Sequence, residues 1–265
     1  MHGQARGASE AEGEAVKFYL GTHKPMWLGD ARCADVPLFV SRRTLGAIKT
    51  LPRAVTSWAL DSGGFTELNL HGRWQTTPAE YVADVRRFKN EIGRLDWAAP
   101  QDWMCEPIVL AKTGLTVEEH QKRTVRNFLE LRALASDLPI IPVLQGWGVT
   151  DYWRCEEMYY DAGVDLAAEP LVGVGTVCRR QGTVTGSVIM TSLASMGLKL
   201  HGFGFKTRGL ELCTDALVSA DSLAWSYDAR RSPRIEGHTH GHCGNCLDYA
   251  LRWRRDLSQT LEEAA

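Results

Sequence analysis

Between residues 17 and 222 one pattern recurs about eight times: a short apolar run, a polar residue or glycine at its end, then a stretch with helical hydrophobic spacing. The apolar runs are 17–21, 36–41, 57–60, 95–99, 139–144, 166–172, 198–205 and 218–222, and helical spacing is read over 43–49, 78–92, 116–135, 151–162, 188–196 and 210–216. Thr116 and Glu119 stand at capping-box spacing at the head of the longest of these. Short strands alternating with helices build a parallel sheet. Eight repeats is the count of a (β/α)8 TIM-type barrel, in which groups at the C-terminal strand ends converge on one rim. The chain length of 265 residues suits one such domain over 16–228. A Gly, Ala and Glu-rich segment over 1–15 reads as a disordered leader, and 229–265 as a small zinc-binding element followed by a C-terminal helix.

The residues at the ends of the runs carry the chemistry. They are His23, Asp61, Asp102, Gln145, the Gly173/Gly175 pair, His201 and Asp221. A lone Asp after a strand is most often a turn or a helix cap, so the recurrence is the signal. The richest stretch is 57–65, where an apolar run ends in Asp61-Ser62-Gly63-Gly64-Phe65 and the glycines let backbone approach a ligand. Three carboxylates on one rim suit displacement at a sugar anomeric carbon, one as nucleophile and another as acid or base; a divalent metal site is the competing use. Gln145, with backbone near Gly146 or Gly173, is placed to read the edge of a planar heterocycle, and Met104 and Phe65 to sandwich its faces.

A second constellation is His238-Thr239-His240-Gly241-His242-Cys243-Gly244-Asn245-Cys246, just before an apparent helix over 247–257. Clustered imidazoles and thiols at this spacing point to structural zinc. Cys243 and Cys246 form the firm pair, with His238 and His240 completing four ligands and His242 the alternative. Arg230, Arg231, Arg234, Arg252, Arg254 and Arg255 surround this segment, as a phosphate-backbone contact or as ordinary solvated charge. The net charge of −2 makes any nucleic-acid site a local patch. Seven cysteines, an odd count, argue against a disulfide framework. No run of 18 apolar residues or basic-then-apolar start exists, so the expectation is a cytoplasmic protein without membrane contact.

Taken together, Asp61 to Phe65, Asp102 to Pro107, Gln145-Gly146, Gly173 to Gly175, Asp221-Ser222 and the following metal segment resemble, in order, the motifs of the tRNA-guanine transglycosylases. The likeness runs over roughly 18–253. The zinc segment departs from that family, which uses CxCxxC and a distant downstream histidine, and the expectation is a chain without the family's appended RNA-binding domain. The compact form is more similar to the DpdA-like 7-deazaguanine DNA transglycosylases, which the turn Gly21-Thr22-His23-Lys24-Pro25 and the run from Ala220 to Trp225 also resemble. The resemblance implies exchange of guanine in DNA for a 7-deazaguanine base through a covalent aspartyl-glycosyl intermediate. It implies Asp221 as nucleophile, Asp61 as acid or base (roles that motif order alone leaves exchangeable), and Asp102 with Gln145 at the base edge. Ser62, Gly63, Phe65, Met104, Gly146, Gly173, Gly175 and His23 complete the implied substrate site, zinc is structural, and a DNA-opening partner protein is a further expectation. The rival expectations are a tRNA substrate, an N-glycosidic hydrolase, and a non-catalytic zinc-dependent nucleic-acid-binding protein.

Overall fold

The computed structural model describes residues 16–264; the leader over 1–15 lies outside the described residues. Eight parallel strands form one curled sheet: β1 (Lys17–Thr22), β2 (Leu38–Ser41), β3 (Trp58–Asp61), β4 (Leu95–Ala98), β5 (Val143–Leu144), β6 (Val172–Val174), β7 (Leu200–Gly202) and β8 (Ser219–Ser222). Their order is β4-β3-β2-β1-β8-β7-β6-β5. Ten α-helices connect or follow them: α1 (Arg42–Gly46), α2 (Gly64–His71), α3 (Pro78–Ile92), α4 (Pro107–Thr113), α5 (Val117–Leu134), α6 (Val149–Asp161), α7 (Val184–Ala194), α8 (Thr207–Cys213), α9 (Ala224–Ala229) and α10 (Leu247–Ala264). No ladder joins the two edge strands, β4 and β5; Ala98 of β4 instead meets Ile140, in the segment just before β5, through a single parallel bridge. The architecture is therefore an α/β fold on a curled eight-stranded parallel sheet.

Strand parity decides which residues reach the site. Successive side chains point to opposite faces of a strand. Phe18, Leu20, Leu38, Val40, Trp58, Leu60, Val172, Val174, Leu200 and Ala220 join the large core under the helices. The residues between them take the concave side, where Tyr19, Ala59, Trp97, Ala99, Ile141 and Leu171 make a second core with Phe39 and Phe203 packed on it. Asp61 lies two positions after Ala59, and Asp221 two after Ser219, so the same parity carries both carboxylates to the concave side. The β7–β8 register sets His201 opposite Ser219.

Several expected elements shift. The run over 139–144 yields only a two-residue strand, because Pro139 and Pro142 have no N–H to give to a ladder. The sixth strand begins at Val172 rather than 166, so Gly173 lies inside it, where an added Cβ would meet the Phe203 ring at 2.6 Å. The capping box at Thr116 is half made. Thr116 Oγ1 accepts from Glu119 N at 3.2 Å, but the Glu119 carboxylate turns to Arg123 at 2.8 Å. The C-terminal segment shares the main core through Cys243, Leu247, Tyr249, Ala250 and Leu257, and Trp253 packs against Phe18. Among the described residues no helix is long and apolar enough to cross a membrane.

Candidate active site and metal centre

A cleft of about 220 Å³ opens at the C-terminal strand ends, lined by Phe39, Asp61, Ser62, Phe65, Ala99, Asp102, Met104, Glu106, Gln145, Gly175, Thr176, Cys178, Phe203, Gly204 and Asp221. Eight residues named from the sequence meet there: Asp61, Ser62, Phe65, Asp102, Met104, Gln145, Gly175 and Asp221. Four others lie outside its lining. Gly63 is the left-handed N-cap of α2, at φ 80°, and its N–H donates to Asp61 Oδ1 at 3.1 Å. Gly146 backs onto α6, where a Cβ would meet Asp151 Cβ at 2.8 Å. Gly173 is covered by Phe203. His23 is exposed, and its pKa is lowered by partial burial and by the charges of Arg230 and Lys24.

Asp221 is held on one side only. Its Oδ1 accepts from Gly204 N at 3.1 Å and lies 3.2 Å from His201 Nε2, and Oδ2 has no donor among the described residues. His201 Nδ1 lies 2.9 Å from Ser219 Oγ. The rings of Trp97 and Phe203 stand 4.5 and 4.7 Å from the imidazole centroid. Burial among them lowers the His201 pKa, against the pull of Asp221. The neutral tautomer that donates from Nε2 to Asp221 accepts at Nδ1 from Ser219, so both ring nitrogens are satisfied.

Asp102 anchors the opposite wall. Gln145 Nε2 donates to Asp102 Oδ2 at 2.5 Å, and Thr176 Oγ1 donates to Gln145 Oε1 at 2.6 Å. Thr176 Oγ1 also accepts from Cys105 N at 2.8 Å and lies 3.3 Å from Glu106 Oε2. Burial raises the Asp102 pKa to about 7; the Gln145 bond opposes the rise, and the charges of Asp61 and Glu106 add to it. Burial also raises Asp61, with Asp221 adding to the rise and the Gly63 N–H opposing it, and Glu106 is raised by burial. Carboxyls whose pKa values burial raises in this way are suited to donate a proton as well as to accept one.

The network is locked from behind by polar residues buried on α5. His120 Nδ1 bonds Met104 O at 2.7 Å, Thr124 Oγ1 accepts from Trp103 N at 2.9 Å, and Gln121 Nε2 donates to Gln145 O at 2.7 Å. Gly175 has the same purpose in the front wall, since a Cβ there would sit 2.1 Å from Gln145 Nε2. The sequence reading missed Glu106, Thr176 and Phe203. Phe203 follows His201 at the concave parity and was readable on that basis. Thr176 owes its position to a left-handed backbone, φ 58°, which is rare for a β-branched residue and marks a strained site.

In the C-terminal segment His238, His240, Cys243 and Cys246 each offer a ligand atom within 4.8 Å of all the others. His240 Nε2 lies 3.2 Å from Cys243 Sγ, and His238 Nδ1 lies 3.8 and 3.5 Å from Cys243 and Cys246 Sγ. Tetrahedral bonds of about 2.3 Å to sulfur and 2.0 Å to nitrogen set such atoms roughly 3.5 Å apart, so the four fit one metal ion. His242 Nδ1 instead accepts from Gly244 N at 3.1 Å, which takes it out of the ligand set. The far nitrogen of His238 faces Asp248 at 3.6 Å, and Asp248 in turn meets Arg32 at 3.1 Å, an arrangement that orients metal-bound histidines. Of the basic residues around the segment, Arg230, Arg231, Arg234, Arg252 and Arg255 are exposed. Arg254 is partly buried, and its Nε has no partner among the described residues.

A comparison with curated proteins finds no match. The family model for DpdA, described as DeoxyPurine in DNA protein A, matches residues 15–264 and so spans the sheet, the cleft and the metal-binding segment. The chain belongs to the DpdA family.

Proposed function

We propose that the protein is a base-exchange transglycosylase that replaces guanine in DNA with a 7-deazaguanine base through a covalent ester on Asp221. The observation that carries this reading is the cleft in which Asp61, Asp102 and Asp221 face one space of nucleobase scale, within a chain of a family described by deoxypurine in DNA. The curled sheet is read as a (β/α)8 barrel whose β4–β5 seam closes at Ala98 and Ile140.

A target guanine must leave the base stack to reach such a cleft. Asp221 Oδ2, the oxygen without a donor, attacks C1′. The C1′–N9 bond breaks, its electron pair passes to the base, and the proton on Asp61 goes to N9. Asp61 is then a carboxylate that removes the N9 proton of the incoming 7-deazaguanine. That nitrogen attacks C1′, the ester bond breaks, and Asp221 returns to its ionised form. His201 and Gly204 hold Asp221 Oδ1 throughout. Asp102, Gln145 and Ser62 read the polar edge, and Phe65 and Met104 cover the faces of the base. Gly63 fixes Asp61 through its N–H, Gly146 and Gly173 allow close packing behind the wall, and His23 with the arginines near the metal segment meets phosphates. Zinc held by His238, His240, Cys243 and Cys246 supplies structural cross-linking there and takes no part in the exchange.

The test incubates DNA and, separately, tRNA with the protein and a 7-deazaguanine base, and digests each to nucleosides for mass spectrometry. A deazaguanine deoxynucleoside from DNA supports the reading. The modified nucleoside from tRNA alone would move the substrate to RNA, and release of many guanines per protein without an acceptor base, beyond the single equivalent that ester formation frees, would make the protein a hydrolase.

A further inference from the structure

We propose that the rim formed by Trp147, Arg179 and Arg180 is a stacking platform for unpaired DNA nucleotides that flank the base taken into the cleft. The inference rests on the base-exchange reading of the cleft and adds the strand state of the substrate and the surface that grips it.

The loop after β6 begins as cleft wall, with Gly175, Thr176 and Cys178 in the lining, and continues at once into Arg179 and Arg180. The Arg179 guanidinium stands 6.0 Å from the Phe65 ring at the cleft mouth. The Arg180 guanidinium stacks 4.1 Å from the Trp147 ring centroid and donates to Trp147 O at 2.6 Å and Thr176 O at 3.2 Å. The pair is therefore fixed in place before any ligand arrives. Trp147 remains 39% exposed despite that contact, so one part of the ring is open to a ligand.

Basic side chains dominate this rim, with Glu106 of the cleft within electrostatic reach of Arg179 and Arg180. Arg179, Lys206 and Arg208 are exposed; Arg208 lies along Gly182, and Lys206 N meets Gln181 Oε1 at 3.4 Å, so the loops after β6 and β7 form one surface. Among the described residues none of Arg179, Arg180, Lys206 and Arg208 is ion-paired with a carboxylate. The nearest acid to Trp147 is already engaged: Asp151 accepts from Trp147 N and Gly148 N and pairs with Arg154 at 2.7 Å. In a chain of net charge −2 this is a local cationic strip with an aromatic ring in it. Cations alone would serve a duplex backbone. A preset, partly open indole serves base faces, which are available only when a strand is unpaired.

The test measures anisotropy of a short labelled DNA strand with the wild-type protein and with Trp147→Ala, Trp147→Phe and Arg179→Ala, each checked for folding by circular dichroism. The wild type should bind the single strand more tightly than a blunt duplex of the same sequence. Trp147→Ala should weaken binding about tenfold, Trp147→Phe should largely preserve it, and Arg179→Ala should flatten the log–log salt dependence by about 0.7. Unchanged binding in both alanine variants, or a duplex or RNA strand bound as tightly as single-stranded DNA, overturns the platform. A wild-type protein that binds no polynucleotide overturns the base-exchange reading itself, so the two failures are distinguishable.

Discussion

Replacing Asp102 by Asn should stabilise the protein at alkaline pH while destroying its activity. Asp102 is buried, and its pKa is displaced from the ordinary 3.8 to about 7, chiefly by desolvation. A carboxyl that holds its proton more tightly folded than unfolded contributes stability in full below about pH 4. That contribution is lost as pH climbs through 7, where the folded chain must carry a buried charge that the unfolded chain carries at no cost. At about 1.4 kcal/mol per pH unit, the penalty above pH 8 is about 4 kcal/mol. Asn keeps an oxygen to accept from Gln145 Nε2, now 2.5 Å from Asp102 Oδ2, but carries no charge. Urea unfolding of both proteins from pH 4 to pH 8.5 should give near-equal stability at the acid end and a gap opening in favour of Asp102→Asn between pH 4 and 8. A gap that stays constant with pH, or opens in favour of the wild type, would refute the assignment of a raised pKa to this carboxyl.

Gly175→Ala should be tolerated by the backbone yet lose most, not all, of its activity. Its Cβ would displace Gln145 from 2.1 Å and break the bonds to Asp102 and Thr176, costing about 2–4 kcal/mol in urea unfolding and moving the Asp102 pKa further up in the pH–rate profile. His201→Phe should fill the ring-lined site but remove a donor from Asp221 Oδ1, lowering kcat about tenfold to a hundredfold with KM for DNA unchanged; His201→Asn should recover part of the loss. At the metal segment, purified protein should carry one zinc by elemental analysis, lost in Cys243→Ser. Asp248→Asn should keep it but bind it about tenfold to a hundredfold less tightly in a chelator competition.

The elements that could be read from sequence are those whose causes are local. α3 runs over Pro78–Ile92 as expected, because Pro78 suits the first turn and Tyr81, Val82, Val85, Phe88 and Ile92 make one apolar stripe. Asp61 and Asp221 were legible because strand parity and strand ends are local features. α2 and α4 were missed because each is a short helix that starts directly after a polar motif, with little periodicity to read. β6 was misplaced because Val172-Gly173-Val174 looks like a turn signal until Phe203 is seen packed on the glycine. Glu106 and Thr176 join the site through loop conformations that tertiary contacts impose, and no spacing rule reaches them. His242 could be separated from His238 and His240 only by its bond to Gly244 N.

The most direct test of the account is to look for the ester on Asp221. Wild-type protein incubated with guanine-containing DNA, without acceptor base, should yield a denaturation-resistant protein–DNA adduct. After nuclease and protease digestion, the added mass should fall on the peptide that carries Asp221, and Asp221→Asn should give neither adduct nor exchange. An adduct mapped to Asp61 instead, or full base exchange by Asp221→Asn, would contradict the account.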